Sequence, residues 1–415
     1  MSGFKKFMIS LKDIWLILGV SLLLLVFIEL GFTLGFFIKD SFTTVHKDYR
    51  RELADTYGDS TWPNKYFSEH EEARVTRWEP YVYWRHKGYN GNYININDDG
   101  IRVVPRKDIA REGEGLKIFM FGGSTLWGTG ARDEFTIPAL LEELIESKGA
   151  VDVEVINFGE SGYVSTQEII LLIRQLQKGD IPDLVIFYDG VNDTFSAYQQ
   201  NIAGIPQNES NRVKEFNFLS KQYMTREGER KIRKRAIKNI KRNLSTVRFT
   251  RYLRKKISSA EAGSDDDELS DNINDIDAII NDEIDIYQSN IKIVSALAEK
   301  YGFKYIFYWQ PTIFQKRSLT AYEQKELELR SDAMPFYQRA YGFMREKTPA
   351  IQAAYNFINL GEMFSDTKEP MYIDYCHLGE VGNGRVAEKM FQDVYPLIKS
   401  MSLPDTGGEA VSTGR

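Results

Sequence analysis

A serine, an asparagine and an acid–histidine pair have the types and the order that acyl transfer requires. Ser124 lies in the sequence FGGSTLWG, Asn192 in DGVND, and Asp374 and His377 in DYCHL. A serine hydroxyl becomes a nucleophile when an imidazole takes its proton, and the imidazole needs an acceptor at its other nitrogen. Asp374 and His377 offer an acceptor and a base within one turn. Together these residues indicate nucleophilic attack on an acyl carbon.

The other groups needed are donors for the developing oxyanion. The loop NFGESG at residues 157–162 supplies glycines, whose backbone N–H groups can approach a ligand without a side chain in the way. The side-chain amide of Asn192 donates without carrying a charge. Taken singly, Gly and Asn are common turn residues, and an Asp-x-x-His pair is a frequent chance match. The functional prediction therefore depends on all of these residues occurring together in one chain.

Composition and missing motifs exclude several other classes of function. The phosphate-binding patterns G-x-x-x-x-G-K-[ST] and G-x-G-x-x-G are absent, as is the G-x-S-x-G elbow of the α/β-hydrolases. One cysteine and four histidines leave no disulfide framework and no recognisable zinc cluster, so we expect no metal and no cofactor. A formal net charge of -6 gives no general attraction for nucleic acid.

The hydrophobic pattern predicts the elements that position these residues. Short apolar runs alternate with longer amphipathic ones from Leu116: LKIFMFGG, FTIPALLEELIESKG, VDVEVINFG, TQEIILLIRQLQKG and DLVIFYDG. After an interruption come a helix near 284–300, the strands FKYIFYWQP and YNFINLG, and a closing helix at 384–399. This β-α-β alternation predicts a three-layer α/β/α domain with a five-stranded parallel sheet of flavodoxin-like order. Ser124, the glycine loop and Asn192 then share the carboxyl edge of the sheet, where such folds bind ligands.

With these blocks in place, the chain resembles the SGNH (GDSL-type) hydrolase family over residues 116–193 and 284–400. The commoner family form has Asp in the place of Gly123, and the GGST block is similar to a membrane-linked bacterial subgroup, as is NDDGIR at 97–102. The family's glycine lies five residues after the asparagine of its block, which selects the last glycine of NFGESG. The resemblance implies Ser124 as nucleophile, Gly162 and Asn192 as oxyanion donors beside the Ser124 N–H, and Asp374 with His377 as acid and base.

The resemblance implies hydrolysis of an ester through an acyl-enzyme on Ser124. An acetyl or acyl group on an envelope polysaccharide or glycolipid would suit a membrane location, but only by association. Two alternatives stay open. One is an O-acyltransferase that uses the same triad with a sugar hydroxyl as acceptor, and the other is a non-catalytic carbohydrate-binding protein.

An apolar stretch near the N-terminus predicts a membrane anchor. From Ile14 to Ile38 the only charged residue is Glu29, and the stretch is long enough to cross a bilayer as a helix. No small-x-small cleavage site follows it, so we expect the anchor to be retained. Asn192 lies in a glycosylation sequon, and a glycan there would block the proposed site. We therefore expect a single-pass protein of the bacterial inner membrane with the catalytic domain outside the cytoplasm.

The predicted organisation is an anchor at 1–40, a juxtamembrane lead-in with little helix at 41–115, a hydrolase domain at 116–400 and a flexible tail at 401–415. A charged insertion at about 194–283 interrupts the domain. Its 226–256 part has 14 Lys or Arg and two Glu, while 261–285 has 11 Asp or Glu and no basic residue. The basic part predicts an amphipathic helix that lies on anionic lipid, or else a solvated helix neutralised by the acidic part.

Overall fold

The computed structural model describes residues 13, 15–24, 26–33, 51–105, 115–148, 152–219 and 266–402. The chain divides into two compact units, one made of Met1–Tyr49 and Asn211–Ser270 and the other of Arg50–Ser210 and Asp271–Arg415. Every candidate site residue lies in the second unit. That unit is described below, and α1, which belongs to the first, is described by itself.

The described residues form helices and strands, and from Leu116 onward these include the elements that the hydrophobic pattern predicts. In chain order they are α1 (Trp15–Thr33), α2 (Pro63–Ala73), β1 (Thr76–Glu79), β2 (Tyr83–His86), β3 (Tyr89–Asn90), β4 (Asn95–Ile96), β5 (Leu116–Gly122), α3 (Ser124–Trp127), α4 (Ile137–Ser147), β6 (Val153–Asn157), α5 (Ser165–Gln177), β7 (Leu184–Asp189), α6 (Val191–Gln200), α7 (Glu209–Leu219), α8 (Asp266–Tyr301), β8 (Lys304–Trp309), α9 (Ala321–Leu329), α10 (Met334–Ala354), β9 (Phe357–Asn359) and α11 (Glu380–Ser402).

Five of the strands form one parallel sheet in the order β6-β5-β7-β8-β9. Relabelled by their order along the chain, these strands run 2-1-3-4-5 across the sheet, which is the flavodoxin-like order. The predicted five-stranded parallel sheet is therefore confirmed. β7 is buried at every position, as its unbroken apolar sequence requires in a central strand covered on both faces.

Side chains of β8 show that helices cover both faces of the sheet. The rings of Phe307 and Trp309 lie 6.0 and 5.0 Å from that of Tyr287 in α8. The hydroxyl of Tyr308 donates instead to Asp393 of α11, at 3.3 Å. Because successive side chains of a strand point to opposite faces, α8 and α11 lie on opposite sides of the sheet. α4 packs beside α11, which gives the expected three layers.

A row of phenylalanine rings crosses the sheet on the α8 side. Phe121, Phe187 and Phe307 occupy facing positions of β5, β7 and β8. Their ring centroids are 5.3 and 4.2 Å apart along the row. A slip of one residue would turn these rings to the other face, so the row holds the register of the strands whose carboxyl ends carry the candidate residues.

The lead-in belongs to the same compact unit as the sheet and contributes α2 and the hairpins β1-β2 and β3-β4. Arg102 joins the two parts. Its backbone bridges Asn157 at the end of β6, and its guanidinium donates to three carbonyls in the 127–131 loop. The side chain is fully buried and pairs with Asp133 at 2.8 Å. A segment in which the sequence indicated no chemistry thus supports the loop that follows Ser124.

The structure describes both predicted ends of the insertion. α6 extends from Val191 to Gln200 and α8 from Asp266 to Tyr301, so residues 194–200 and 266–283 are helical. The hydroxyl of Thr194 donates to Glu283 at 2.6 Å, and both residues are buried. This bond ties the two predicted ends of the insertion into the core, because polar groups there must find partners inside the protein.

The apolar helix α1 spans 19 residues with a mean hydropathy of 2.4, enough by length and composition to cross a membrane. A signal sequence or a helix of a soluble protein can have the same properties. The basic segment at 226–256 and the tail from residue 403 lie outside the described residues. Their predicted properties stay predictions.

Candidate active site

Ser124 opens the short helix α3 directly after β5, at the carboxyl edge of the sheet. Its side chain is partly exposed, so the hydroxyl can meet a ligand from solvent. The residue before it is glycine for a local reason. A Cβ at Gly123 would collide with the side-chain nitrogen of Asn192. The GGST block is therefore the form that lets the Asn192 amide approach the serine.

The structure brings Ser124, His377 and Asp374 into one hydrogen-bonded line. The Oγ of Ser124 lies 2.7 Å from Nε2 of His377, and Nδ1 of the same ring lies 2.7 Å from Oδ2 of Asp374. With the ring proton on Nδ1, the imidazole donates to the carboxylate and accepts from the serine hydroxyl. This arrangement can take the serine proton as the oxygen attacks.

The loop that carries the acid and the histidine is fixed by its own backbone. Oδ1 of Asp374 accepts from the backbone N–H groups of Cys376 and His377 at 3.0 and 2.8 Å. The Ile373 N–H donates to the carbonyl of His377 at 2.9 Å, which closes the loop. The carboxylate therefore holds the backbone with one oxygen and the imidazole with the other.

Arg51 is a site residue that the sequence analysis missed. Its guanidinium lies 2.9 Å from Oδ2 of Asp374, the oxygen that also faces His377. Arg51 comes from the lead-in, more than 300 positions away along the chain. Nothing in the local sequence distinguishes it from its neighbour Arg50, so no pattern could have selected it.

Opposing effects act on the ionisation of Asp374, which is completely buried. Burial by itself raises the pKa of a carboxyl group, but the His377 ring, Arg51 and the hydrogen bonds to Asp374 outweigh it and hold the pKa well below its ordinary value. The acid is therefore a carboxylate at any working pH. Burial raises the pKa of the neighbouring Cys376 thiol well above its ordinary value, so that thiol stays protonated.

Asn192 is the second residue of α6, three positions after β7 ends, and its amide is oriented by a neighbour. The side chain of Gln207 donates to Oδ1 of Asn192 at 3.2 Å. This bond turns the amide nitrogen of Asn192 toward Gly123 and the start of α3. The sequence predicted Asn192 but gave no sign of Gln207, which lies 15 residues further on.

Gly159 and Gly162 are the two glycines of the loop at 157–162 that could donate to an oxyanion, and their backbone N–H groups differ in hydrogen bonding. The N–H of Gly159 donates to the side chain of Asn157 at 3.0 Å. The N–H groups of Gly162 and Ser124, by contrast, meet no acceptor among the described residues. Gly162 has a φ of 76°, a conformation that favours glycine. The carbonyl of the next residue, Tyr163, lies 3.8 Å from the Cβ position of Gly123, so this loop borders the glycine that precedes Ser124.

The site also contains three potential metal donors. One donor atom each from Asp374, Cys376 and His377 lies within 4.8 Å of the others. Two of these residues are already hydrogen bonded to each other, and the third is a thiol whose raised pKa disfavours the thiolate that metals bind. The donor set suits proton transfer and not a resident metal.

Comparison with known proteins gives distant structural likenesses. No family model and no curated protein matches the sequence. Among solved structures, the acetyl xylan esterase AlAXEase is 17% identical with a TM-score of 0.34, and the alignment covers 67% of this chain and 100% of that one. TesA is 15% identical with a TM-score of 0.34, covering 68% and 99%. A lipase/acylhydrolase from Enterococcus faecalis is 13% identical with a TM-score of 0.35, covering 68% and 96%. At such distances the functional argument rests on the side-chain geometry.

Proposed function

We propose that the chain is a serine ester hydrolase of the SGNH type. The observation that carries this proposal is the line of Ser124, His377 and Asp374, joined by two contacts of 2.7 Å at an open sheet edge. A buried acid, an imidazole and a partly exposed serine hydroxyl in this order are the parts that nucleophilic acyl transfer needs.

The reaction follows from the positions of these groups. Ser124 Oγ attacks the acyl carbonyl as its proton passes to Nε2 of His377, and the imidazolium is stabilised by Asp374. The imidazolium then gives its proton to the leaving alcohol, which leaves an acyl-enzyme. Water, deprotonated by His377, attacks that ester and releases the acid and free Ser124. No cofactor is needed in these steps.

Stabilisation of the oxyanion is assigned to three donors. These are the N–H of Ser124, the N–H of Gly162 and the side-chain amide of Asn192. Support comes from the two N–H groups that lack acceptors among the described residues and from the Gln207 bond that aims the Asn192 amide. Donors fixed before the reaction lower the barrier because they need not reorganise as charge develops.

The location of the enzyme is part of the same proposal. We take α1 as a retained anchor that holds the catalytic domain on the outer side of a bacterial inner membrane, with the basic segment at 226–256 resting on anionic lipid. The substrate would then be an acyl or acetyl ester on an envelope glycan or glycolipid. Protease accessibility in spheroplasts with intact inner membranes measures the orientation, and a catalytic domain protected until lysis would contradict it.

The test uses the full-length chain in detergent and p-nitrophenyl acetate. We expect Ser124→Ala and His377→Ala each to abolish turnover, because the nucleophile or its base is lost. Asn192→Ala, which removes one oxyanion donor, should lower kcat by about 10²- to 10³-fold. Asn201→Ala, an exposed change at the far end of α6, is the matched control. Full turnover by Ser124→Ala would refute the proposal.

A sugar acceptor added to the same assay separates hydrolysis from transfer. Release of free acetate that is unchanged by the acceptor supports the hydrolase. Acetylated acceptor in place of acetate would instead assign the triad to an O-acyltransferase.

A further inference from the structure

Trp84 forms a wall of the candidate site beside Gly162. It lies in β2 of the lead-in, and its Nε1 donates to the carbonyl of Ser161 at 2.8 Å. Its Cζ2 lies 3.6 Å from where a Cβ of Gly162 would be. The indole therefore borders the peptide group that we assign to the oxyanion, although it takes no part in the proposed reaction.

A second tryptophan continues this wall outward. Trp78 of β1 lies directly opposite Trp84 in the antiparallel register, so both side chains stand on the same face of the hairpin. The ring of Tyr83 lies 5.5 Å from that of Trp78 and 6.4 Å from that of Trp84, with the latter pair stacked. Tyr81 lies between β1 and β2, and we call the four aromatic residues of the hairpin the aromatic shelf: Trp78, Tyr81, Tyr83 and Trp84.

The outer end of the aromatic shelf faces water. Trp78 is 67% exposed and Tyr81 is 76% exposed. Tyr81 and Tyr83 have φ values of 70° and 74°, which are rare for bulky side chains and cost conformational energy. The hairpin thus presents large aromatic rings to solvent at a cost in stability, next to a site where a ligand is expected.

Hydrogen-bonding groups lie along the inner end of the shelf. The hydroxyl of Tyr83 donates to Glu209 at 3.3 Å. Gln207, which orients Asn192, has its Oε1 3.6 Å from the Cβ position of Gly162. Flat rings with an amide and a carboxylate beside them match a ligand that has one C–H face and a rim of hydroxyl groups.

This chemistry favours a sugar ring over a fatty acyl chain. A long acyl chain gains free energy in proportion to the apolar surface removed from water, which requires an enclosed channel. Trp78 and Tyr81 of the shelf are exposed to solvent, so they would cover only one side of such a chain. A pyranose needs only one face covered, since its hydroxyl groups stay in water or bond to the neighbouring amide and carboxylate.

We propose that the aromatic shelf binds a pyranose ring of an O-acylated glycan and thereby places the acyl ester at Ser124. The inference rests on the proposed function for its catalytic part and names the class of its substrate: an ester whose alcohol is a sugar hydroxyl. The aromatic shelf would thus bind the sugar alcohol, which is the first product released in the proposed reaction.

Binding without turnover tests the shelf independently of catalysis. In full-length Ser124→Ala protein, the affinity for chemically O-acetylated cellopentaose is measured by titration calorimetry, with and without a second change. Adding Trp78→Ala should weaken binding about five- to tenfold, since one ring face is lost, while Trp78→Phe should restore most of it. Tyr301→Ala, an exposed aromatic change at the end of α8, should have no effect. Equal affinity with and without Trp78 would overturn the proposal.

Turnover gives the second readout. In the active enzyme, Trp78→Ala should raise KM for the acetylated oligosaccharide at least fivefold more than KM for p-nitrophenyl acetate, with little change in kcat. Equal effects on both substrates would show a structural role and overturn the proposal. Loss of vesicle binding in Trp78→Ala, without any effect on the oligosaccharide, would assign the shelf to the membrane surface instead. Oligosaccharide binding to a protein without esterase activity would refute the proposed function alone.

Discussion

Asp374 and Glu283 are both completely buried carboxyl groups near the carboxyl edge of the same sheet, yet burial has opposite outcomes for them. The pKa of Asp374 is held well below its ordinary value, whereas burial raises the pKa of Glu283 to about 8. Asp374 faces an imidazole, a guanidinium and two backbone N–H groups. Glu283 accepts one bond, from the hydroxyl of Thr194.

Glu283 belongs to a group of buried acids that we call the acid cluster: Glu168, Asp189, Asp193 and Glu283. Burial raises the pKa of each, and the nearby acids add to the effect for all but Asp193. No Lys or Arg within the described ranges pairs with any of them. Three of them accept hydrogen bonds from hydroxyl or backbone N–H groups: Asp189 from Tyr287, Asp193 from Ser165 and Glu283 from Thr194.

The difference between the triad and the acid cluster teaches that partners, and not depth, decide whether a buried acid is charged. A carboxylate in a low-dielectric interior is stable only when positive charge or several donors compensate for lost water. The triad needs a charged acid to stabilise an imidazolium. Among the described residues the acid cluster has only hydroxyl and backbone donors, and the bonds from Ser165, Thr194 and Tyr287 connect α5, α6, α8 and β7 without requiring a charged acid.

The difference in charge between Asp374 and the acid cluster is tested most directly by replacing one acid in each region with its neutral amide. Asp374→Asn should lower kcat for p-nitrophenyl acetate by about 10³- to 10⁴-fold, since an amide favours the wrong ring tautomer and cannot stabilise the imidazolium. Asp189→Asn should change kcat less than threefold, because burial and the neighbouring Asp193 raise the pKa of that acid and favour its neutral form. Steady-state kinetics at pH 7 measures both. Comparable losses in the two variants would contradict the assignment of charge.

The next test concerns stability at alkaline pH. An acid whose pKa is raised in the folded state stabilises the fold fully below the ordinary value of 4.5, and this stability is lost as the pH rises toward about 8. Glu283→Gln keeps the acceptor for Thr194 but cannot ionise. We expect it to raise the free energy of unfolding by about 4 kcal/mol at pH 8, because each pH unit between 4.5 and about 8 contributes about 1.4 kcal/mol, and to have little effect at pH 4.5.

Denaturant unfolding of the Glu283→Gln protein at several pH values checks this expectation. Glu299→Gln changes an exposed position of the same helix and is the matched control. The remaining acids of the cluster still titrate, so the pH dependence should become weaker without vanishing. An unchanged pH dependence in Glu283→Gln would show that its carboxyl group is not neutral in the fold.

The smallest effect is expected at Arg51, which we regard as a residue that positions Asp374. Arg51→Met should reduce kcat about tenfold with KM unchanged, while Arg51→Lys should retain most activity because the positive charge stays beside Asp374. Its loss also lets the pKa of Asp374 rise. A depressed pKa stabilises the fold above the ordinary value of 3.8, and that stability is lost as the pH falls, so acid unfolding of Arg51→Met should begin at a higher pH. An unaltered acid midpoint would contradict the role.

The sequence determined the sheet and the candidate residues at its edge. Strand and helix periods depend on residues a few positions apart, so they can be predicted from local sequence. Ser124 and Asn192 could be predicted from the sequence for the same reason, because each lies within three residues of the end of a strand. The bond between Thr194 and Glu283 joins positions 89 residues apart, so no local pattern in the sequence indicates it.

Only the tertiary structure decided which distant groups meet. Ser124 and His377 are 253 positions apart, and their contact exists because β5 and the loop before α11 end at the same edge of one sheet. Arg51, Gln207 and Trp84 reach that edge from segments whose local sequence carries no sign of it. Periodicity records which side of an element faces the core, but it does not record which side chain of another element lies opposite. That partner sets the charge of a buried acid, so the state of Asp374 became evident only in the folded chain.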